Sequence, residues 1–512
     1  MPEGPKEMIA SALKRLCSPR AALGAALLAT GILFIRAYLR DPSRRAERIF
    51  SRTWWAWADQ GRYHRDALAW AAGNLDPSQH YYFPGYALIA APFVHITPLN
   101  PFAIPDFVCT IATGWLLAML GKRLAPDRPW MPALTAWTFF AVLAFRQDAL
   151  RVWIDPWDTT PTVPLCLWVL LAALRFGERP TAFRALIAGA SAGLVVAFRP
   201  TEALIYGAAG AIFCAARLPS LPPARAARAA AAAAAGALLG IVPGVLAYVA
   251  THGLRASPYI MLSRQIGFDI RLLPYQWVTI MLSPGPVLAR APALVPMYPW
   301  FVSGIAGILA GIAGARARTG PGAHLLVGAA ALANLLVFLC YRDLHSVGLF
   351  RYGNQHYFKG VSAIFAMFTI VLADGLRRSR RARWISIAAL ACALATVPWR
   401  LQFRPDPAAV VVIRGDRIDL PQGIKSIDYT LLVRTRTQRV DYGAAGITMA
   451  VAGKALHPTS DFRPVPIPGG FALRILRPLP RGPAELDLPP DIHIDKSGGA
   501  PARAGWFTIR PI

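Results

Sequence analysis

Charge is scarce in this sequence, and acid scarcest of all. Only 16% of the 512 residues are charged, and Asp and Glu together number 27. Such a chain, 55% hydrophobic with a mean hydropathy of +0.40, does not read as a soluble globule. Cysteine is sparse too. Cys17, Cys109, Cys166, Cys214, Cys340 and Cys392 lie almost all within apolar segments, and none falls in the polar C-terminal region. No disulfide framework is implied, and the thiols read as packing residues rather than a metal site. No phosphate-binding glycine loop, zinc-ligand spacing, nucleophile elbow or internal repeat is evident.

What is abundant is apolar sequence and arginine. Several apolar runs reach or approach the ~20 residues that cross a bilayer, so the fold class is a polytopic α-helical membrane protein. A formal charge of +27 would point to nucleic acid in a soluble chain. Here much of it lies in short loops between apolar runs, where Lys and Arg set topology. The rest faces anionic membrane lipids, and no nucleic-acid partner is expected.

In chain order, a basic stretch from Lys6 to Arg20 precedes the apolar segment Ala21 to Tyr38, read as a retained helix rather than a signal peptide. The segment from Pro84 to Ile96 is short for a span. Further spans are expected near 103–120, 130–146, 160–176, 183–198, 201–217, 229–250, 299–315, 323–341, 357–375 and 384–398, making about eleven in all. The loops at Lys122–Arg123, Arg175 to Arg184, Arg217 to Arg228, Arg316–Arg318 and Arg377 to Arg383 are short and basic, and are assigned to the cytoplasm. Acids and most histidines then collect on the outer face. Arg36, Arg40, Arg44, Arg45, Arg48 and Arg52 run against this orientation, and five later loops favour it.

The division of the chain follows its composition. Residues 1–398 form the membrane domain. Residues 399–512 alternate short apolar runs with turn signals and read as a small β domain, sandwich-like, on the outer side.

The stretch from Trp54 to Tyr86 is too polar to span a bilayer and too aromatic for an ordinary linker. Tryptophan and tyrosine at this density favour the membrane–water interface. Within it Asp59, Tyr63 and Asp66 stand at i, i+4 and i+7, one face of a helix. This reads either as an active-site helix on the membrane surface or as an interfacial helix with solvated charges.

If the substrate is a lipid-linked sugar phosphate, the leaving phosphate needs little acid help. The reaction needs cations for the developing charge and one carboxylate to deprotonate the attacking hydroxyl. Asp59 is the candidate carboxylate, with Asp66 in reserve. Arg351, Tyr352, His356 and Lys359 in FRYGNQHYFKG form the candidate phosphate cluster. Arg199 in AFRPTE joins them, against the alternative of a snorkelling arginine. Tyr63, His64 and Tyr86 are candidates for contacting donor or acceptor. Asp155 and Asp158 lie three apart beside Pro and Trp, a spacing that suits a hard divalent cation, Mg or Mn, with waters. The competing reading is a solvated loop in which Asp158, Thr159 or Thr160 caps the next helix. The long loop at 251–298 has a composition suited to covering a site.

These features resemble the family C glycosyltransferases, of the polyprenyl-phosphate-sugar-dependent mannosyltransferase and aminoarabinose transferase type. The matching residues are Asp59, Tyr63, Ala67, the entry Phe83–Pro84–Gly85–Tyr86 and the late pair Arg351–Tyr352. The resemblance implies sugar transfer from a polyprenyl-phosphate donor to a lipid, glycan or protein acceptor at the periplasmic face of the inner membrane. It further implies an inverting mechanism with Asp59 as base, and Arg351, Lys359 and Arg199 on the donor phosphate. Two features depart from the pattern: Gln60 stands where many members carry a second acid, and the entry motif is Pro–Gly–Tyr rather than Pro–Pro–Leu. A transporter or flippase of lipid-linked sugars is the competing class. It would show broken helices in related halves and ionisable groups near mid-membrane.

Overall fold

The computed structural model describes residues 18–45, 54–56, 58–270, 273–282, 293–315, 322–342, 344 and 355–395, and nine strand segments between residues 403 and 509. A helix lies at each of the eleven expected positions. They are α1 (Pro19–Arg40), α4 (Ala103–Leu124), α5 (Met131–Phe145), α7 (Thr159–Glu178), α8 (Ala182–Val196) and α9 (Pro200–Ala215), followed by α10 (Pro223–His252), α12 (Trp300–Ala315), α13 (Gly322–Leu339), α14 (Lys359–Arg377) and α15 (Arg380–Ala395). Among the described residues seven helices are long and apolar enough to cross a membrane: α1, α4, α7, α10, α13, and α9 and α14 with their short extensions. The apolar helices α5, α8 and α12 are shorter. The chain is a helical membrane protein. Between these helices lie α2 (Ala58–Ala71), α3 (Pro84–Ala90), α6 (Gln147–Ile154) and α11 (Pro258–Ile266), which carry much of the polar chemistry.

Two compact units are present. The first holds residues up to Met261, Tyr298–Leu335 and Gln355–Ala395. In it α8 crosses α10 at close range, and glycine makes this possible. A Cβ on Gly189 or Gly193 of α8 would strike the carbonyls of Ala233 or Ala237, and one on Gly236 or Gly240 of α10 would strike those of Leu186 or Ala190. Both helices thus carry glycines four apart at their contact, the arrangement by which backbones approach in lipid, where hydrophobic burial does not drive helices together. The same device sets α12 on α14, with Gly304 and Gly307 against Phe365 and Phe368.

The second unit gathers Leu262–Met297, Leu336–Asn354 and Thr396–Ile512. Its early part is tied by an isolated bridge between Phe268 and Tyr341 and by an ion pair from Arg342 to Asp269 at 3.2 Å. Its late part holds β1 (Phe403–Arg414), β2 (Arg417–Leu420), β3 (Thr430–Arg434), β4 (Thr448–Val451), β5 (Lys454–Leu456), β6 (Phe462–Ile467), β7 (Gly470–Ile475), β8 (Ala484–Asp487) and β9 (Ala504–Ile509). The strands pair antiparallel in two sheets, of order β5-β4-β8-β2-β1-β9 and β3-β7-β6.

Candidate active site

α2 ends where Gly73 takes φ +66°, and the amides of Gly73 and Asn74 return to the carbonyls of Trp70 and Ala69. Only glycine adopts this left-handed cap without cost. The reversal sends the chain back along α2, so the face bearing Asp59, Tyr63 and Asp66 meets residues 81–86. The Tyr82 hydroxyl donates to Asp59 Oδ1 at 2.5 Å, and the Tyr81 amide donates to Asp66 Oδ1 at 3.2 Å. The Tyr63 ring packs on Tyr82 and Tyr86, with centroids 4.5 and 5.2 Å apart.

The three expected residues therefore do share one face, and burial separates them. Tyr63 and Asp66 are 4% and 3% exposed, while the Asp59 side chain is 36% exposed. Burial pushes the Asp66 carboxyl up to about 7, and its bonds to backbone amides oppose this only in part. Arg62 stands 3.8 Å from Asp59 with its guanidinium over the Tyr81 ring. His64 stacks on Trp55 at 4.1 Å, and burial pushes its imidazole down to about 4, so it is neutral near pH 7. Tyr86 is a core residue whose hydroxyl donates to Asp106 Oδ2 at 2.9 Å.

The entry Phe83–Pro84–Gly85–Tyr86 has a geometric cause. Pro84 opens α3, and the Gly85 amide donates to the Ala197 carbonyl at 2.8 Å. A Cβ on Gly85 would lie 2.7 Å from that oxygen. Glycine thus docks α3 on the end of α8, two residues before Arg199. The Tyr259 ring, in the first turn of α11, meets Tyr82 at 4.9 Å. His252, at the end of α10, reaches the His80 carbonyl at 3.1 Å through Nε2.

Behind this aromatic layer is a buried ion network. Arg199, 8% exposed, bonds Asp158 Oδ1 at 2.8 Å and Glu202, and its guanidinium lies over the Tyr357 ring. Lys359, 4% exposed, donates to the Val152 carbonyl at 3.0 Å and to Thr160 Oγ1 at 2.5 Å, and its Nζ stands over the Trp153 ring. Asp106, Asp158 and Arg199 are the charges that act on it. His356 stacks on Trp157 at 3.7 Å, with Nδ1 3.3 Å from Thr159 Oγ1. Among the described residues its Nε2 and Glu202 Oε2, both buried, have no hydrogen-bond partner. Both residues line a cavity of about 20 Å³, room for one water.

Several expectations change in this light. Arg199 is not a snorkelling arginine, because its head is buried in a double ion pair. Asp158 makes no side-chain cap on α7. Asp158 pairs with Arg199, and Asp155 pairs with Arg151 at 3.3 Å. Each carboxylate of the expected metal pair is thus committed to a different arginine. Among the described residues no three His, Cys, Asp or Glu side chains converge on a point suited to a metal. Burial pushes Asp155 up to about 7. Arg351 and Tyr352 lie outside the described residues.

The sequence reading missed Asp106 and Tyr82. An ionisable residue inside an apolar span was the available signal for Asp106. Tyr82 had none, since its role exists only once the chain folds back on α2. Chemically, the arrangement offers one accessible carboxylate oriented by a tyrosine, beside a network of two cations and three carboxylates that compensate one another.

No family model matches the sequence, and no curated protein matches it. In structure the chain is similar to ArnT from Cupriavidus metallidurans bound to undecaprenyl phosphate, at 15% identity and a TM-score of 0.42 over 71% of this chain and 63% of that one. It is also similar to the oligosaccharyltransferase of Archaeoglobus fulgidus in complex with Zn and sulfate, at 13% identity and a TM-score of 0.42 over 73% of this chain and 51% of that one. A third likeness is to the arabinosyltransferase EmbB from Mycobacterium smegmatis, at 12% identity and a TM-score of 0.32 over 96% of this chain and 64% of that one. The chain thus spans less than two thirds of the length of each.

Proposed function

We propose that the chain is a membrane glycosyltransferase. It moves a sugar from a polyprenyl-phosphate donor to a hydroxyl-bearing acceptor at the outer face of the membrane. The observation that carries this reading is the separation of roles on α2: Asp59 stays accessible and is held by the Tyr82 hydroxyl, while Tyr63 and Asp66 are buried. In the proposed reaction Asp59 takes the proton of the attacking hydroxyl as it adds to the anomeric carbon. The carbon–oxygen bond to the phosphate breaks on the opposite side, the polyprenyl phosphate leaves as an anion, and the configuration inverts.

The donor phosphate needs a cation with charge to spare. Arg199 and Lys359 are tied to Asp158, Glu202, Val152 and Thr160, so we assign them to fixing the wall of the site and its field. Arg351, with Tyr352 beside it, is assigned to the phosphate itself. His356, stacked on Trp157, is assigned to fixing the start of α14. Asp66 is assigned to holding the 81–86 turn against α2, not to catalysis. The strands at 403–509 belong, in this reading, to the outer β domain at 399–512. A divalent cation is not needed for the step as written, because phosphate is a stable leaving group.

The test uses the full chain reconstituted in lipid with a panel of polyprenyl-phosphate-linked hexoses and pentoses, following release of polyprenyl phosphate. Asp59→Asn should lose ~10²–10⁴ in turnover, the range of a general base, while native mass spectrometry still finds polyprenyl phosphate bound. Turnover by Asp59→Asn at the wild-type rate would remove the assignment.

A further inference from the structure

The polar ends of the bundle are not equivalent. Helices α4, α7, α9 and α14 carry Asp106, Thr160, Glu202 and Lys359 in their first turns, at the site described above. Their other ends, with α12, α13 and α15, enclose a separate cavity of about 1010 Å³. Along α4, Asp106 and Lys122 are about 24 Å apart at 1.5 Å per residue. The volume is at the upper end of ordinary ligand pockets, roughly 300–1,000 Å³.

Its lining is basic in a particular way. Six cations border it: Lys122, Arg123, Arg175, Arg217, Arg378 and Arg381. Three carboxylates oppose them, Asp127, Glu178 and Asp374. All three are already taken. Glu178 holds Arg123 at 2.9 Å, and Arg378 bonds both Asp374 and Asp127. This leaves Lys122, Arg175, Arg217 and Arg381 with no carboxylate partner among the described residues.

Two of these four are braced by aromatic rings. The Arg175 guanidinium lies 5.0 Å from the Trp168 ring, and that of Arg217 lies 5.4 Å from the Phe213 ring. Glycine opens the space for this: a Cβ on Gly177 would lie 2.7 Å from Phe213, and one on Gly322 would lie 3.1 Å from Arg217 Nη2. A loop arginine that merely sets topology needs no such support. A guanidinium stacked on a ring keeps its planar fork of N–H donors in place, which lowers the ordering cost of binding a phosphate. Met119, Leu174 and Val371 add apolar wall beside the cations.

We propose that this cavity is a second binding site, for an anionic phosphoryl group of the mono- or diphosphate class, held by Arg175 and Arg217 with Lys122 and Arg381. The group is carried either on a lipid that enters from the bilayer or on a free phosphate compound. Its chemistry is independent of the transfer reaction proposed above.

The experiment uses the full chain in phosphatidylcholine nanodiscs, titrated calorimetrically with inorganic pyrophosphate. A parallel arm adds phosphatidic acid to the nanodisc and scores lipid retained by native mass spectrometry. Wild type should bind pyrophosphate saturably, and rising salt should weaken it. The double variant Arg175→Gln/Arg217→Gln should bind at least tenfold more weakly, and Arg36→Gln, on an exposed part of α1, should bind as wild type does. Glu178→Gln frees Arg123 and should bind more tightly, so the proposal stays testable if the double variant fails to fold. Retention of phosphatidic acid by wild type and its loss in the double variant assign the site to a lipid headgroup. Pyrophosphate binding without lipid retention assigns it to a free phosphate compound. Absence of saturable pyrophosphate binding and of lipid retention in wild type overturns the proposal. So do equal affinities in wild type and a folded double variant, or an unchanged affinity in Glu178→Gln.

Discussion

Arg199 bonds Asp158 at 2.8 Å across 41 residues of chain, and both side chains are more than nine-tenths buried. With Glu202, 5% exposed, they form a buried triad. Removing one member of such a pair costs about 3–5 kcal/mol, because the remaining charge is left buried and unpaired. Arg199→Met should therefore lower the thermal midpoint sharply. The triple variant Arg199→Met/Asp158→Asn/Glu202→Gln should regain most of the loss. Thermal melts in detergent check this, and a triple variant no more stable than Arg199→Met would show that the triad is held by something other than charge.

Tyr82 orients Asp59 through one hydrogen bond from its hydroxyl. Tyr82→Phe removes that donor and leaves the ring packed on Tyr63 and Tyr259. Transfer should fall by roughly tenfold, about one charge-assisted hydrogen bond, with the donor KM little changed. A large rise in KM at constant kcat would place Tyr82 in donor binding instead.

Asp66 links stability to pH. Burial raises its carboxyl to about 7, from the ordinary 3.8. Between those values the folded chain binds the proton and the unfolded chain does not, so stability is greatest on the acid side and falls as pH rises from about 4 to about 7. The limiting size is on the order of 4 kcal/mol. Asp155 contributes in the same direction, so the wild type is best compared with Asp66→Asn. The difference between their melting temperatures should shift in favour of Asp66→Asn as pH rises. A difference that stays flat over that range would contradict the assignment.

The α8–α10 crossing rests on bare backbone. Gly240→Ala puts a methyl group against the Ala190 carbonyl and should destabilise by about 1–3 kcal/mol, the usual cost of overpacking. Gly24→Ala in α1 meets nothing within 4 Å and should be neutral or slightly stabilising. Equal melts for the two variants would remove the close-packing argument.

Gly85 is the corresponding test at the site. Gly85→Ala pushes on the Ala197 carbonyl and, through it, on the segment that carries Arg199. Transfer should fall more than global stability does, read as kcat against the thermal midpoint. Wild-type kcat would show that docking of α3 does not set the site.

By itself the sequence determined the helices and one face of α2. Apolar runs must become helices in lipid, since every backbone N–H and C=O needs a partner there, and each expected run carries one. The i, i+4, i+7 spacing of Asp59, Tyr63 and Asp66 was equally legible, because helical periodicity is a local property. Tertiary structure decided which of those residues remain accessible and which charges meet. The reversal at Gly73 buried Asp66 under Tyr81 and left Asp59 at the edge. Convergence of α4, α7, α9 and α14 brought Asp158, Arg199 and Glu202 into one buried network. Accessibility and ion pairing depend on groups far apart in the chain, and no local spacing encodes the distance between them.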